Sequence, residues 1–282
     1  MQDKLKGIGS IHFIGVGGIS LSALAKLMHK LGKKVTGSDL RFGPSILDLM
    51  EEGITVWVGS EPKSIGAPDL AVYSSAIPDS DKELSYCRET GILTMERFDF
   101  LKLVSDCFKT VIAIGGTHGK TTTTAMLAYI MREAGLAFCA HIGGDVAGMG
   151  NLYYGGTDYF LTEACEYKKS LLHLNPQLAV VLNAESDHPD TFATIEDVYD
   201  TFREFLFANG RLSIVNADTE FFKKVKDCRP FTFGEGDYAS FKISDVYEYK
   251  PGYYSFFLSY LGMPLSDIKL FVPGRHNVLN AA

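Results

Sequence analysis

The sequence predicts an α/β protein of two domains, each built on a parallel sheet, with an antiparallel sheet appended to the second. Three observations predict it. Short apolar, β-branched runs alternate with helical stretches from Ile11 to Asn183. Two of those runs, about a hundred residues apart, enter glycine-rich turns that open directly into helices. After Asn216 the alternation gives way to strands of aromatic and polar residues around Pro251-Gly252, the pattern of a hairpin.

Taken in order, Ile11-His12-Phe13-Ile14 reads as a buried strand ending in Gly15-Val16-Gly17-Gly18-Ile19-Ser20. Leu21, Leu24, Ala25, Met28 and Leu31 then share one helical face, and Gly32 stops the helix. A second strand, Lys34 to Gly37, ends at Ser38-Asp39. A strand, a glycine turn, a helix and an acid after the next strand form a diphosphate-binding βαβ unit of the Rossmann kind. Ser20 replaces the third glycine of the dinucleotide fingerprint, so the turn admits a nicotinamide cofactor or another diphosphate. Further strands are expected at Ile54–Trp57, Leu70–Tyr73 and Ile92–Met95. Ser74-Ser75 follow the fourth strand at the carboxyl edge, where such sheets bind ligands and where plain turns also occur. A helical connector, Phe98 to Lys109, leads to a boundary near Phe108, giving domains 1–108 and 109–282.

The second domain opens on Val111-Ile112-Ala113-Ile114, a strand that turns through Gly115-Gly116-Thr117-His118-Gly119 into Lys120 and four threonines. Glycines let backbone N–H groups approach an anion, and a helix N-terminus adds partial positive charge. In such a cradle Lys120 neutralises β/γ-phosphate charge and the Thr121 hydroxyl sits on Mg²⁺. The full phosphate-loop pattern has a glycine where Ile114 stands, so the match is to the shorter Gly-Thr-x-Gly-Lys-Thr. Downstream, Asp158 to Tyr167 is a strand ending in acids, including Glu163 and Glu166, and Leu178 to Asn183 runs into Glu185, Asp187, His188 and Asp190. A carboxylate and a histidine there can hold Mg²⁺ directly or through water, while Glu163 as a helix cap and His188 as a surface imidazole are the alternatives. The hairpin is expected over Ser240–Lys250 and Tyr253–Tyr260, with a third strand at Asp267–Val272. The chain closes on Gly274-Arg275-His276-Asn277-Val278-Leu279-Asn280, the beginning of a helix without the helix, as if the natural protein were longer.

Composition narrows the class. Hydrophobic residues make up 46% and charged residues 22%, the balance of a soluble globular protein. The 27 basic and 34 acidic side chains give a net charge of −7, which argues against nucleic acid as a partner. Neither a leader peptide at Met1–Gly7 nor an apolar run of membrane-spanning length is read. Five scattered cysteines without a C-x-x-C pair point to a reducing, cytoplasmic setting with neither a disulfide framework nor a structural zinc.

The glycine turn with Gly37-Ser38-Asp39-Leu40, the Gly116–Thr122 loop, Glu163-Ala164-Cys165-Glu166-Tyr167 with Asn183 and Asp187–Asp190, and Gly274–Asn280 together resemble the ATP-dependent Mur ligases of peptidoglycan synthesis. The resemblance runs from Ile11 to Ala282, and His118 is similar to the branch that accepts UDP-N-acetylmuramate. It implies that the first domain binds a UDP-sugar instead of NAD, with Gly15, Gly17, Gly18 and Ile19 at the diphosphate and Ser38, Asp39 and Ser75 near the nucleotide sugar. It implies an ATP site at Gly116, Thr117, His118, Gly119, Lys120, Thr121 and Thr122, with Asn277 and Asn280 at the adenine. Thr121, Glu163 and His188 would be the metal ligands, and Lys120, Glu163 and His188 the catalytic set. The implied chemistry joins L-alanine to the lactyl carboxylate of UDP-N-acetylmuramate through an acyl phosphate, by a monomer or weak homodimer. A sibling that recycles whole muropeptides, a nicotinamide oxidoreductase and a non-ligating UDP-sugar-binding regulator are the competing readings. Arg203 stands where several family members carry a carbamylated lysine, and the family's third, amino-acid-binding domain is missing from these 282 residues.

Overall fold

The computed structural model describes residues 5–208 and 212–282; Met1–Lys4, part of the stretch searched above for a leader, lie outside the described residues. The chain divides into two compact units, Met1–Lys109 with Gly135–Phe160, and Thr110–Ala134 with Leu161–Ala282. The first 109 residues supply β1 (Ser10–Ile14), α1 (Ile19–Lys30), β2 (Lys34–Asp39), α2 (Pro44–Glu51), β3 (Thr55–Val58), β4 (Leu70–Tyr73), α3 (Lys82–Glu89), β5 (Thr94–Glu96) and α4 (Arg97–Ser105). Then come β6 (Thr110–Gly115), α5 (Lys120–Glu133), β7 (Phe138–Val146), β8 (Gly150–Tyr154), β9 (Tyr159–Ala164) and β10 (Leu178–Val181). The remainder is α6 (Ile195–Phe207), β11 (Leu212–Asn216), α7 (Glu220–Val225), β12 (Phe231–Gly234), β13 (Phe241–Lys250), β14 (Tyr253–Tyr260), β15 (Met263–Lys269) and α8 (His276–Ala281).

The first unit holds a sheet in the order β3-β2-β1-β4-β5, with every pair parallel. The order reverses between β1 and β4, and the crevice at that reversal is where open parallel sheets take ligands. Helix α1 is buried from Leu21 to Met28, Ser22 and Lys26 included. A surface helix would leave those polar positions wet. Here the sheet takes one side, and the antiparallel pair β7–β8 packs on the other. Lys26 is only 4% exposed, and its ammonium bonds to Asp48 and to Asn151 Oδ1 at 3.0 Å. A buried cation persists only with such partners.

Two histidines in this unit are buried without charge. His12 stacks on Trp57 at 5.0 Å and shares a 2.9 Å hydrogen bond with Thr36, and burial pushes its pKa down to about 4. His141 on β7 is lowered to about 4 by burial, then by the nearby Arg97 cation. Native His12 and His141 therefore stay neutral where the unfolded chain, with histidine near 6.5, takes up protons. Stability is full above about pH 6.5 and is lost as pH falls from there toward 4. Between pH 7 and 5 each histidine should remove roughly 2 kcal/mol. Denaturant melts at those two pH values are expected to show this loss, and His12→Gln or His141→Gln to flatten it; an unchanged slope in both variants would refute the assignment.

In the second unit the strands run β15-β14-β13-β12-β11-β10-β6-β9. Strands β6, β10, β11 and β12 pair in parallel, and β13, β14 and β15 are antiparallel. Helix α6 begins at a capping box, Thr194 with Asp197, and buries Val198, Phe202 and Phe205. A groove of about 950 Å³ lies over Ile112, Ile114, Val180, Ile214 and Phe233, flanked by Met126 and Ile130 of α5.

Two sequence expectations are corrected. The third antiparallel strand was expected at Asp267–Val272 and lies at Met263–Lys269. Leu261 and Gly262, with φ of 48° and 81°, close a tight hairpin straight after β14, so β15 starts earlier. The terminal segment, expected to begin a helix without forming one, forms α8, with Asn277 and Val278 buried.

Candidate functional site

The cradle forms because β6 ends in glycines whose conformations other residues resist. Gly116 has φ of 137°, and a Cβ there would meet Leu182 Cβ and Asn183 N at 3.2 Å. Gly119, at φ of 87°, is the left-handed N-cap of α5, and a Cβ there would lie 2.5 Å from Asn280 Oδ1. Between them the loop is tied to the end of β10. His118 N donates to Asn183 Oδ1 at 2.8 Å, and Asn183 Nδ2 donates back to His118 O at 2.9 Å. Thr117, 8% exposed, accepts from Glu185 N at 2.9 Å. The first N–H groups of α5 have no acceptor within the helix and thus face whatever the loop surrounds.

Lys120 folds back over this loop. Its ammonium donates to Gly116 O, to Thr117 O at 3.2 Å and to Glu166 Oε2 at 3.0 Å. Glu166 is 2% exposed. Thr121 Oγ1 donates to Glu163 Oε2 at 3.0 Å. His188 Nε2 is 3.8 Å from Glu166 Oε1 and 3.8 Å from Asp187 Oδ2. One ligand atom from each of Glu166, Asp187 and His188 lies within 4.8 Å of the others. Two carboxylates and an imidazole, with the Thr121 hydroxyl nearby on α5, suit a hard divalent cation that takes its remaining oxygens from phosphate and water. The donor set therefore fits Mg²⁺.

The structure thus brings Lys120, Thr121, Glu163 and His188 to one loop cluster. Glu163 stands against Thr121, whereas the neighbours of His188 are Glu166 and Asp187. Sequence reading assigned no role to those two acids. The available signal was that Glu166 follows Glu163 by three residues at a strand end and that Asp187 precedes His188. Thr122 lies in the first turn of α5. Asn277 is 6% exposed and accepts from Asn280 Nδ2 at 2.9 Å, while Thr123 Oγ1 donates to Asn280 O at 3.3 Å. Both asparagines of α8 are therefore held beside the head of α5.

In the first unit the glycine turn sits on the end of β2. Gly15 N and Val16 N donate to Ser38 O at 2.8 and 2.9 Å, and Gly17 N donates to Asp39 Oδ2 at 2.9 Å. Gly18 caps α1, Ile19 opens it, and its first turn carries no acid. The turn containing Ser75 approaches from β4, with Ile77 Cδ1 3.2 Å from where a Gly15 Cβ would stand. Residues missed in the sequence fix this arrangement from behind. Ser38 donates to the buried Glu83, which also accepts from Trp57 Nε1 at 3.2 Å. Arg97 donates to Ser20 Oγ at 3.1 Å, which bonds to His141 Nε2 at 2.9 Å, and Asn151 donates to Ile19 O at 2.8 Å.

A strand that ends in a glycine loop, a lysine and a helix, inside a mixed sheet, places the second unit among the P-loop nucleotide-binding folds. Residues 10–108 match the Mur ligase family catalytic domain and residues 114–282 the Mur ligase middle domain. The chain belongs to the Mur ligase family. It is 39% identical over 277 residues to a UDP-N-acetylmuramate--L-alanine ligase of Clostridium acetobutylicum, covering 96% of this chain and 60% of the relative. It is 41% identical over 280 residues to that of Clostridium novyi, with the same coverage. Among solved structures, the UDP-N-acetylmuramate-alanine ligase MurC of Thermotoga maritima superposes with a TM-score of 0.84 at 25% identity, over 96% of this chain and 62% of that one. The chain thus spans about 60% of the length of these curated relatives.

Proposed function

We propose that this chain carries the UDP-sugar and ATP sites of an ATP-dependent ligase that joins L-alanine to the lactyl carboxylate of UDP-N-acetylmuramate in peptidoglycan precursor synthesis. The observation that carries the reading is the convergence of Lys120, Thr121, Glu163, Glu166 and His188 on one glycine loop. Relatives named for that reaction support the substrate choice over the muropeptide-recycling alternative. In the proposed chemistry a carboxylate oxygen attacks the γ-phosphorus of ATP, and the acyl phosphate forms as ADP leaves. The L-alanine amine then attacks the acyl carbon, and the tetrahedral intermediate collapses with loss of phosphate and a proton. Lys120 exchanges Glu166 for phosphate oxygens and stabilises charge as it moves to the bridging oxygen. Mg²⁺, held by Glu166, Asp187 and His188 with Thr121 and Glu163 alongside, would neutralise phosphate charge. ATP as co-substrate places the reaction in the cytoplasm. Domains 1–108 and 109–282 are proposed as the UDP-sugar and ATP portions, with the amino-acid site supplied by further polypeptide.

The test is a phosphate-release assay with UDP-N-acetylmuramate, ATP and L-alanine. Residues 1–282 should bind Mg²⁺·nucleotide weakly and release no L-alanine-dependent phosphate, because misplacement by about 1 Å already costs on the order of a hundredfold. Joining the chain to the third domain of a curated relative should restore turnover. Robust turnover by residues 1–282 alone would refute a site shared with a third domain, and preference for a peptide over L-alanine would favour the recycling ligase.

A further inference from the structure

The candidate metal histidine is held by an unusual pair of loops. His188 has φ of 53°, and the neighbouring loop places Lys168 and Lys169 at φ of 50° and 55°. Side chains resist this region of backbone space, so such residues persist where the surroundings over-determine them. The backbone of His188 is fixed by its own loop. Its N–H donates to Asp187 Oδ1 at 2.7 Å, and its carbonyl accepts from Thr191 N at 2.8 Å and Phe192 N at 3.0 Å. Those bonds leave the ring free to rotate about its side-chain torsions, and its contacts to Glu166 and Asp187, at 3.8 Å each, are too long to fix it.

Tyr167 supplies the constraint. Its ring centroid lies 5.2 Å from that of His188 at 56° between planes, a tilted aromatic contact. Lys168 N donates to Thr191 Oγ1 at 3.3 Å, and Lys168 Nζ stands 5.6 Å from the Tyr167 centroid on the side chain's own loop. Tyr167 is therefore wedged between the two loops, directly after Glu166 in the chain and against the imidazole that faces Glu166.

We propose that Tyr167 is a positioning residue for the metal site: its ring, lying against the imidazole of His188, sets that imidazole toward Glu166. This rests on the reading of Glu166, Asp187 and His188 as the divalent-cation cluster of a nucleotide site. Tyr167 touches neither cation nor nucleotide in this role. It acts through His188, as outer partners of ligating histidines do, whose loss commonly weakens metal binding about 10- to 100-fold.

The experiment measures ADP affinity of the 282-residue chain by calorimetry with and without Mn²⁺, and reads the ratio of the two. Tyr167→Ala should cut the enhancement given by Mn²⁺ about tenfold, with metal-free ADP affinity unchanged. Tyr167→Phe keeps the ring and should retain most of the enhancement. His188→Ala separates the two levels of the argument. If His188→Ala loses the enhancement and Tyr167→Ala keeps it, the positioning role is overturned and the cluster stands. If wild type shows no enhancement, or His188→Ala leaves it intact, the cluster reading falls and the positioning role falls with it. If Tyr167→Ala weakens metal-free and metal-assisted binding equally, the residue is only structural.

Discussion

Lys120→Met is expected to abolish Mg²⁺·ATP binding and to destabilise the second unit at the same time. Binding should fall on the order of a hundredfold or more, because a positioned cation in a partly enclosed cradle is lost. The stability effect has a separate origin. Glu166 has a side chain 3% exposed, and Lys120 at 3.0 Å is its ion-pair partner at 17% exposure. Removing one member of a buried pair leaves the other charge without its counter-ion, typically at about 3–5 kcal/mol. The double variant Lys120→Met with Glu166→Gln should recover most of the stability and none of the binding. Denaturant melts and calorimetry on the three variants read the two effects apart. Binding within threefold of wild type in Lys120→Met would remove the lysine from the phosphate site.

Gly17→Val should weaken UDP-N-acetylmuramate binding about ten- to a hundredfold. A Cβ at Gly17 would stand 2.8 Å from Asp39 Oδ2, 3.1 Å from its Cγ and 3.3 Å from Ile46 Cδ1. The carboxylate must swing away, breaking its bond from Gly17 N, and the valine methyls then project over the turn. Overpacking of this kind typically costs about 1–3 kcal/mol. Realised in the bound state, that is about one to two powers of ten in affinity. Asp39→Asn, which keeps the shape and removes the charge, serves as the control for the lost hydrogen bond. Calorimetry showing wild-type affinity in Gly17→Val would take the diphosphate off this turn.

What was legible in the sequence was whatever local chemistry decides. The Leu70–Tyr73 strand is where the apolar run placed it, and the hairpin strands about Pro251-Gly252 differ by at most a residue at one end. Both glycine turns fold as their composition requires, since only glycine accepts the close approach at Gly17 and the left-handed N-cap at Gly119. Less legible were elements whose reason is tertiary. Strand β8, with Gly150 and Asn151, is held by contacts distant in sequence: Asn151 donates to Ile19 O and to Ser22 Oγ on α1. Strands β11 and β12 are short, and Ser213 and Thr232 interrupt their apolar runs. The same holds for the candidate site. Lys120 and Thr121 announce themselves by spacing, whereas the neighbours of His188 depend on how two loops fold against each other.

The split composition of the first unit has a consequence for synthesis. Its sheet is complete by β5, yet α1 stays uncovered on the side that β7 and β8 later occupy, and Lys26 stays without Asn151. Translation must pass through β6 and α5, which belong to the other unit, before that cover emerges. At about 5–20 residues per second, the interval from Lys109 to Phe160 lasts roughly 3–10 s. Throughout it a nascent Rossmann-like sheet carries one helix with an exposed apolar flank and a lysine awaiting its amide partner. Slowed elongation between those residues would lengthen the exposure, and holdase chaperones would have their best target there.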